Sequence, residues 1–147
     1  MEANVTVRQV EGEPPEAAIS IRRSVFVDEQ GVPESVELDG HDEEAVHFLA
    51  DHDGRPVGVA RMRPKDGTAK AERVAVVSDR RGEGIGRRLM EAVESRATAE
   101  GYGAVVLSAQ TPVVEFYKTL GYDVVSEEYL EAGIPHRRMR KQLSANR

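Results

Sequence analysis

Residues 80–94 read RRGEGIGRRLMEAVE, and this stretch restricts the fold more than any other in the chain. Gly82, Gly84 and Gly86 alternate with other residues where a helical repeat begins. Glycine loses more backbone entropy on folding than any other residue, so such a cluster at a helix mouth should have a use. From Ile85 onward Leu89, Val93 and Ala97 recur at every fourth position and form one buried stripe. A helix start leaves backbone N–H groups without partners and carries partial positive charge. A phosphate uses both, and glycines let its oxygens approach the backbone. Arg81, Arg87 and Arg88 add positive potential. The stretch Arg81, Gly82, Glu83, Gly84, Ile85, Gly86, Arg87 therefore reads as a pyrophosphate cradle. The plain alternative is a flexible strand-to-helix turn that holds no ligand.

The segments around this turn set the architecture. NVTVRQV (4–10) alternates like a half-buried strand. Pro14 and Pro15 open a helix in which Ala18, Ile21 and Val25 face inward, with Arg22 and Arg23 expected on the other side. The acidic stretch 34–44 reads as a loop or short helix. AVHFLADHDGRPVGVARMRP (45–64) reads as a hairpin turning at Asp53-Gly54, and TAKAERVAVV as a further strand. Gly101 and Gly103 stop the long helix, and AVVLSAQ (104–110) is an apolar run suited to a strand buried on both faces. Pro112 starts a short helix ending near Gly121. Two last strands, DVVSEEYLE and HRRMRKQL, are joined by residues 132–135. The order predicts one α/β domain over residues 1–147, a mixed sheet covered by helices.

Composition narrows the chemistry. The chain has 147 residues, 39% hydrophobic and 31% charged, as in globular domains. A net charge of -6 and only 5% aromatics argue against a nucleic-acid partner, which attracts basic surfaces and stacking rings. No apolar run approaches the ~20 residues that span a bilayer, and the N-terminus lacks signal-peptide features, so no membrane partner and a cytoplasmic location are expected. Cysteine is absent, which removes disulfides, zinc–thiolate sites and a thiol nucleophile. His41, Asp42 and His47 match no metal-ligand spacing, and no metal is expected.

Other phosphate loops fail on spacing. A G-x-G-x-x-G fingerprint begun at Gly82 or Gly84 would place its last glycine at Arg87 or Leu89, and the P-loop pattern fails likewise. The match that remains is R-x-x-G-x-G over residues 81–86. Set between a strand and an amphipathic helix, it resembles the pyrophosphate signature of the GNAT superfamily of acyl-CoA-dependent N-acetyltransferases. VVEFYKTLGYDVV (113–125) resembles the family's second signature, F-Y-x-x-L-G-F. RRSVFVDEQGVP, ELDGHDEEAVHF and EAGIPHRRM resemble its ElaA-like branch. The first of these also resembles the N-terminal region of acyl-homoserine-lactone synthases, which lack so clean a pair of GNAT signatures.

The resemblance implies a GNAT-like, mostly antiparallel twisted sheet of about six to seven strands with about four helices. It implies a splayed parallel strand pair and acetyl-CoA as co-substrate. Val74, Ala75 and Val76 would hold the pantetheine arm and thioester through their backbones, and residues 81–87 the pyrophosphate. Tyr117 would protonate the departing thiolate; a core tyrosine is the plain alternative. Glu72, on the strand entering the site, is a candidate base and shares a face with Val74 if that strand is regular. Glu29, Glu37, Asp39 and His47 are candidates for binding the acceptor, a small-molecule or peptide amine. As solvated acids or a satisfied histidine they would do nothing of the kind. His136 would either close the acceptor pocket or simply pair across strands. A homodimer through the last strands is common in the family. A non-catalytic acyl-CoA sensor or interaction module is the reading of a different class.

Overall fold

The computed structural model describes residues 5–143. Asn4, where the first strand is expected to begin, lies outside them. Eight strands form one sheet: β1 (Val5–Glu11), β2 (Val46–His52), β3 (Arg55–Lys65), β4 (Thr68–Val76), β5 (Ala104–Gln110), β6 (Asp123–Val124), β7 (Tyr129–Glu131) and β8 (Ile134–Gln142). Their order is β1-β2-β3-β4-β5-β8-β6, with β7 also paired to β8. Only β4 and β5 run parallel among these pairs. Among the described residues no helix is long and apolar enough to cross a membrane.

Three hairpins turn on two residues each. Asp53-Gly54, Asp66-Gly67 and Ala132-Gly133 all have positive φ at both positions, the geometry that follows the right-handed twist of paired strands. The long helix α3 (Ile85–Ala99) lays Ile85, Leu89, Met90, Val93 and Ala97 on one face of the sheet. It ends as its glycines predict. Gly101 takes φ +89°, its amide donates to Thr98 O, and the Tyr102 amide reaches back to Ala97 O. α4 (Val114–Thr119) covers the same face. α1 (Glu16–Arg22) continues through a π-helical segment, Arg23–Glu29, and packs Ala18, Ile21 and Val25 on the opposite face. A short helix, α2 (Glu34–Glu37), and a turn at Asp42–Glu44 carry the acidic stretch.

Two expectations need correction. Arg22 is 1% exposed rather than on an outer face. It stands four residues after Ala18 and three before Val25, so helical geometry puts it on the buried stripe. The stretch DVVSEEYLE forms two short strands. β6 pairs Val124 with Met139 and β7 pairs Tyr129 with His136, so residues 125–128 stand opposite only residues 137 and 138 of β8 and break the ladder. The Ser126 hydroxyl accepts the Arg138 amide there at 2.8 Å.

Helix α3 crosses β3 over Gly58. A Cβ at that position would stand 3.0 Å from both Ile85 Cγ2 and Leu89 Cδ1. Gly58→Val should therefore force the helix off the sheet and lower stability by about 1–3 kcal/mol. A urea melt checks this, and an unchanged midpoint would mean that α3 yields freely.

Candidate active site

The site opens where β4 and β5 part. They pair only from Ala69–Val105 to Ala71–Leu107. Beyond Ala71 the β5-facing edge of β4 has no strand partner, and a cavity of about 450 Å³ fills the gap. The strand bulges at Arg73. Its φ is +54°, and the register with β3 passes from Glu72–Arg61 to Ala75–Val59, leaving two residues opposite Ala60. The bulge overturns the shared face expected for Glu72 and Val74. Glu72 meets Arg61, whereas Val74 and Val76 pack against the core under α3. Ala75 packs on the α1 side.

The mouth of α3 lies beyond the end of β4. Gly82 and Gly84 take φ of +83° and +85°, and a Cβ on either would meet nothing within 4 Å. The Arg88 amide donates to Gly84 O at 3.1 Å. The amides of Ile85, Gly86 and Arg87 precede that bond and have no partner among the described residues. Unpartnered donors at a helix N-terminus fit an anionic phosphate. Gly86 has a further reason to be glycine: a Cβ would come within 3.2 Å of the Phe116 ring on α4. Glu83 is paired with Arg80, and Arg87 is exposed. Arg81 folds back, donating from Nε to Val76 O at 2.9 Å and from Nη2 to Glu29. Glu29 thus stands at the glycine end of the site and does not line the cavity, contrary to expectation.

Tyr117 projects from α4 to the cavity wall, and its hydroxyl has no hydrogen-bond partner among the described residues. Burial pushes the phenol up, so it keeps its proton well above neutral pH. Its ring packs edge-to-face on Phe116 and Tyr122. Tyr122 is buried in the core and donates to Glu94 at 2.9 Å.

The acidic residues are largely taken up by arginines. Glu37 pairs with Arg22 at 2.7 Å and Arg73 at 3.1 Å. Asp39 and Asp42 both bind Arg61, which is fully buried. Glu72 bonds Arg61 and Arg63, each at 2.7 Å, and pairs with Lys70. Burial alone would raise Asp39 and Glu72. Hydrogen bonds and charge from Arg61, with Arg73 beside Asp39 and Arg63 beside Glu72, outweigh it and hold both low, Glu72 at about 2. Glu37, Asp39 and Glu72 line the cavity, but as members of a neutralised network. His47 lies outside it. That ring is 2% exposed on β2, donates from Nε2 to Asp42 O at 2.9 Å, and burial lowers its pKa. Arg61 is the hub of this network, and sequence reasoning does not single it out. Its signal was present: a lone arginine inside the apolar strand VGVARM.

The β7–β8 hairpin brings Glu131 and His136 to the cavity. Glu131 accepts from Ser108 Oγ at 3.2 Å, and His136 on β8 donates from Nδ1 to Ile134 O at 2.7 Å.

The geometry agrees with relationships to known proteins. Residues 9–143 match the acetyltransferase (GNAT) domain model. The chain is 44% identical to the uncharacterized N-acetyltransferase YjcF of Bacillus subtilis (strain 168) over 125 residues, 84% of this chain and 89% of that protein. An acyl-CoA N-acyltransferase from Pseudomonas aeruginosa superposes with a TM-score of 0.84 at 31% identity, covering 94% of this chain and 99% of the other. Escherichia coli ElaA superposes at 0.83 with 29% identity and the same coverage. The splayed pair β4–β5, the glycine-lined mouth of α3 and these relatives together show that the chain belongs to the GNAT acetyltransferase family.

Proposed function

We propose that the protein transfers an acetyl group from acetyl-CoA directly to a primary amine in a ternary complex. The observation that carries this is a single cavity between the parted strands that reaches both β4 and Tyr117. The free amides of residues 85–87, with Arg81 swung from Glu29, would bind the pyrophosphate. The unpaired edge of β4 at Val74–Val76 would bind the pantetheine arm, and an amide there would stabilise the thioester oxyanion. Tyr117 would give its proton to the leaving sulfur. With no cysteine in the chain, a thiol acyl-enzyme has no nucleophile to form on. Glu72 is a poor base, since a carboxylate held at about 2 by three cations has little affinity for a proton. We assign it to holding the bulge at the cavity wall. The family match over residues 9–143 supports one acetyltransferase domain.

The test is thermal. Acetyl-CoA at about 100 times its dissociation constant should stabilise the protein by roughly 2.7 kcal/mol, a rise of several degrees in melting temperature. Adenosine diphosphate, which lacks the pantetheine arm, should give less. Gly84→Val should fold yet lose most of the acetyl-CoA shift. Its side chain would strain a left-handed position and cover the helix mouth. A folded Gly84→Val protein with a full shift would sink the cradle, and no shift in the wild type would favour a degenerate site.

A further inference from the structure

We infer that His136 is the proton acceptor for the incoming ammonium, an assignment that rests on the transfer reading above. The amine arrives charged at neutral pH, since an alkylammonium titrates near ~10.4, and cannot attack until it loses a proton. The cavity must therefore offer a proton acceptor. Of the carboxylates on its wall, Asp39 and Glu72 are held well below their ordinary values by arginines, Glu37 is tied in ion pairs to Arg22 and Arg73, and Glu131 already accepts from Ser108.

His136 differs from all of them. A carbonyl oxygen only accepts, so the 2.7 Å contact to Ile134 O requires the proton of a neutral imidazole to sit on Nδ1. Nε2 is then the free lone pair. It has no protein partner among the described residues, and it is not an unsatisfied atom sealed in the core. The residue lines the same cavity as Tyr117. Two elements fix the ring. Its strand is held against Gln110 at the open end of β5, and Tyr129 on β7 stacks on it with centroids 6.3 Å apart. Tyr129 is in turn bonded to Ser108 on β5. A histidine with one nitrogen anchored on a carbonyl and the other aimed at solvent space is a preorganised base. Glu131, on the same hairpin, lines the cavity with no cationic partner among the described residues, and would draw the ammonium toward the ring.

The protons balance. The first passes from the ammonium nitrogen to His136 Nε2 and then to solvent. The freed lone pair attacks the thioester carbonyl, a C–N bond forms, the C–S bond breaks, and its electron pair leaves on sulfur. Tyr117 protonates that sulfur and is reprotonated, through solvent, by the second proton that the nitrogen loses.

Hydroxylamine and n-butylamine distinguish this role from a structural one. Hydroxylamine is largely uncharged at neutral pH and needs no first deprotonation; n-butylamine does. CoA release is followed with a thiol reagent, to which a chain without cysteine adds no background. His136→Gln should lower kcat/KM for n-butylamine by about 10²-fold or more, the usual contribution of a general base, and lower that for hydroxylamine much less. Its acetyl-CoA thermal shift should be unchanged. Equal losses with both amines, or none, overturn the assignment while leaving transfer intact. So does a nitrogen-15 spectrum of the wild type showing the His136 proton on Nε2. A wild-type protein that binds acetyl-CoA yet acetylates neither amine overturns the transfer reading itself, and the base falls with it.

Discussion

Tyr117→Phe should bind acetyl-CoA like the wild type and turn over about 10²- to 10⁴-fold more slowly, the range over which a positioned proton donor contributes. The Tyr117 hydroxyl has no hydrogen-bond partner among the described residues, so removing it leaves no orphaned group behind. The ring stays, and with it the edge-to-face contacts to Phe116 and Tyr122. Stability should therefore change little, and so should the acetyl-CoA thermal shift. What disappears is a proton beside the leaving sulfur. Burial raises the phenol's pKa, so the donor keeps its proton across and above neutral pH. A thiolate, near ~8.5 for a free thiol, takes that proton only as negative charge builds on sulfur. The measurement is kcat with n-butylamine beside the thermal shift. A variant with wild-type kcat would return Tyr117 to the status of a core tyrosine.

The parts of this molecule that follow a local period were legible in its sequence. The stripe Ile85, Leu89, Val93, Ala97 needs only helical geometry, and the observed helix begins and ends at its glycines. The Asp53-Gly54 turn likewise carries its own backbone requirement. What the sequence hid depends on partners far along the chain. The bulge at Arg73 puts a non-glycine residue at positive φ, and nothing local asks for it. Its guanidinium is held by Glu37 O at 3.0 Å and by Asp39, which lie 36 and 34 residues away. Glu37 and Asp39 looked like acceptor ligands because their arginines could not be seen; Arg22 and Arg61 come from other elements. Glu29 and His47 were grouped with them by sequence neighbourhood, and the fold sends one to the glycine end and the other beneath α1. His136 was ambiguous for the opposite reason. Its role depends on which ring nitrogen faces the cavity, and only the contact to Ile134 fixes that.

Arg61→Met should be the most destabilising single change in the site, by about 3–5 kcal/mol at pH 7. Methionine fills much of the buried volume, so the loss is mainly electrostatic. Arg61 is fully buried and binds Asp39, Asp42 and Glu72 together, with contacts of 2.8, 3.0 and 2.7 Å. Without it three partly or wholly buried carboxylates face one another with less compensation than burial demands. Their titration gives the sign of the pH dependence. All three have folded pKa values below their ordinary ones, against burial and because of the arginines. In the wild type this stability is complete above the unfolded values, ~3.9 for Asp and ~4.3 for Glu. It is lost as pH falls through the folded ones, about 2 for Glu72. In the variant the same carboxylates sit buried without their main cation, so they take up protons more readily, and acid relieves them. The gap in melting temperature between wild type and Arg61→Met should therefore be widest near pH 7 and narrow toward about pH 4. Adding Glu72→Gln to Arg61→Met should recover part of the loss at pH 7, because it removes one unpaired charge from the cluster. A gap that stays constant from pH 7 to 4 would place the cost in lost packing of the arginine stem. Arg61 would then be a volume-filling residue, and the wall of the cavity would be held by the remaining pairs through Arg22 and Arg73.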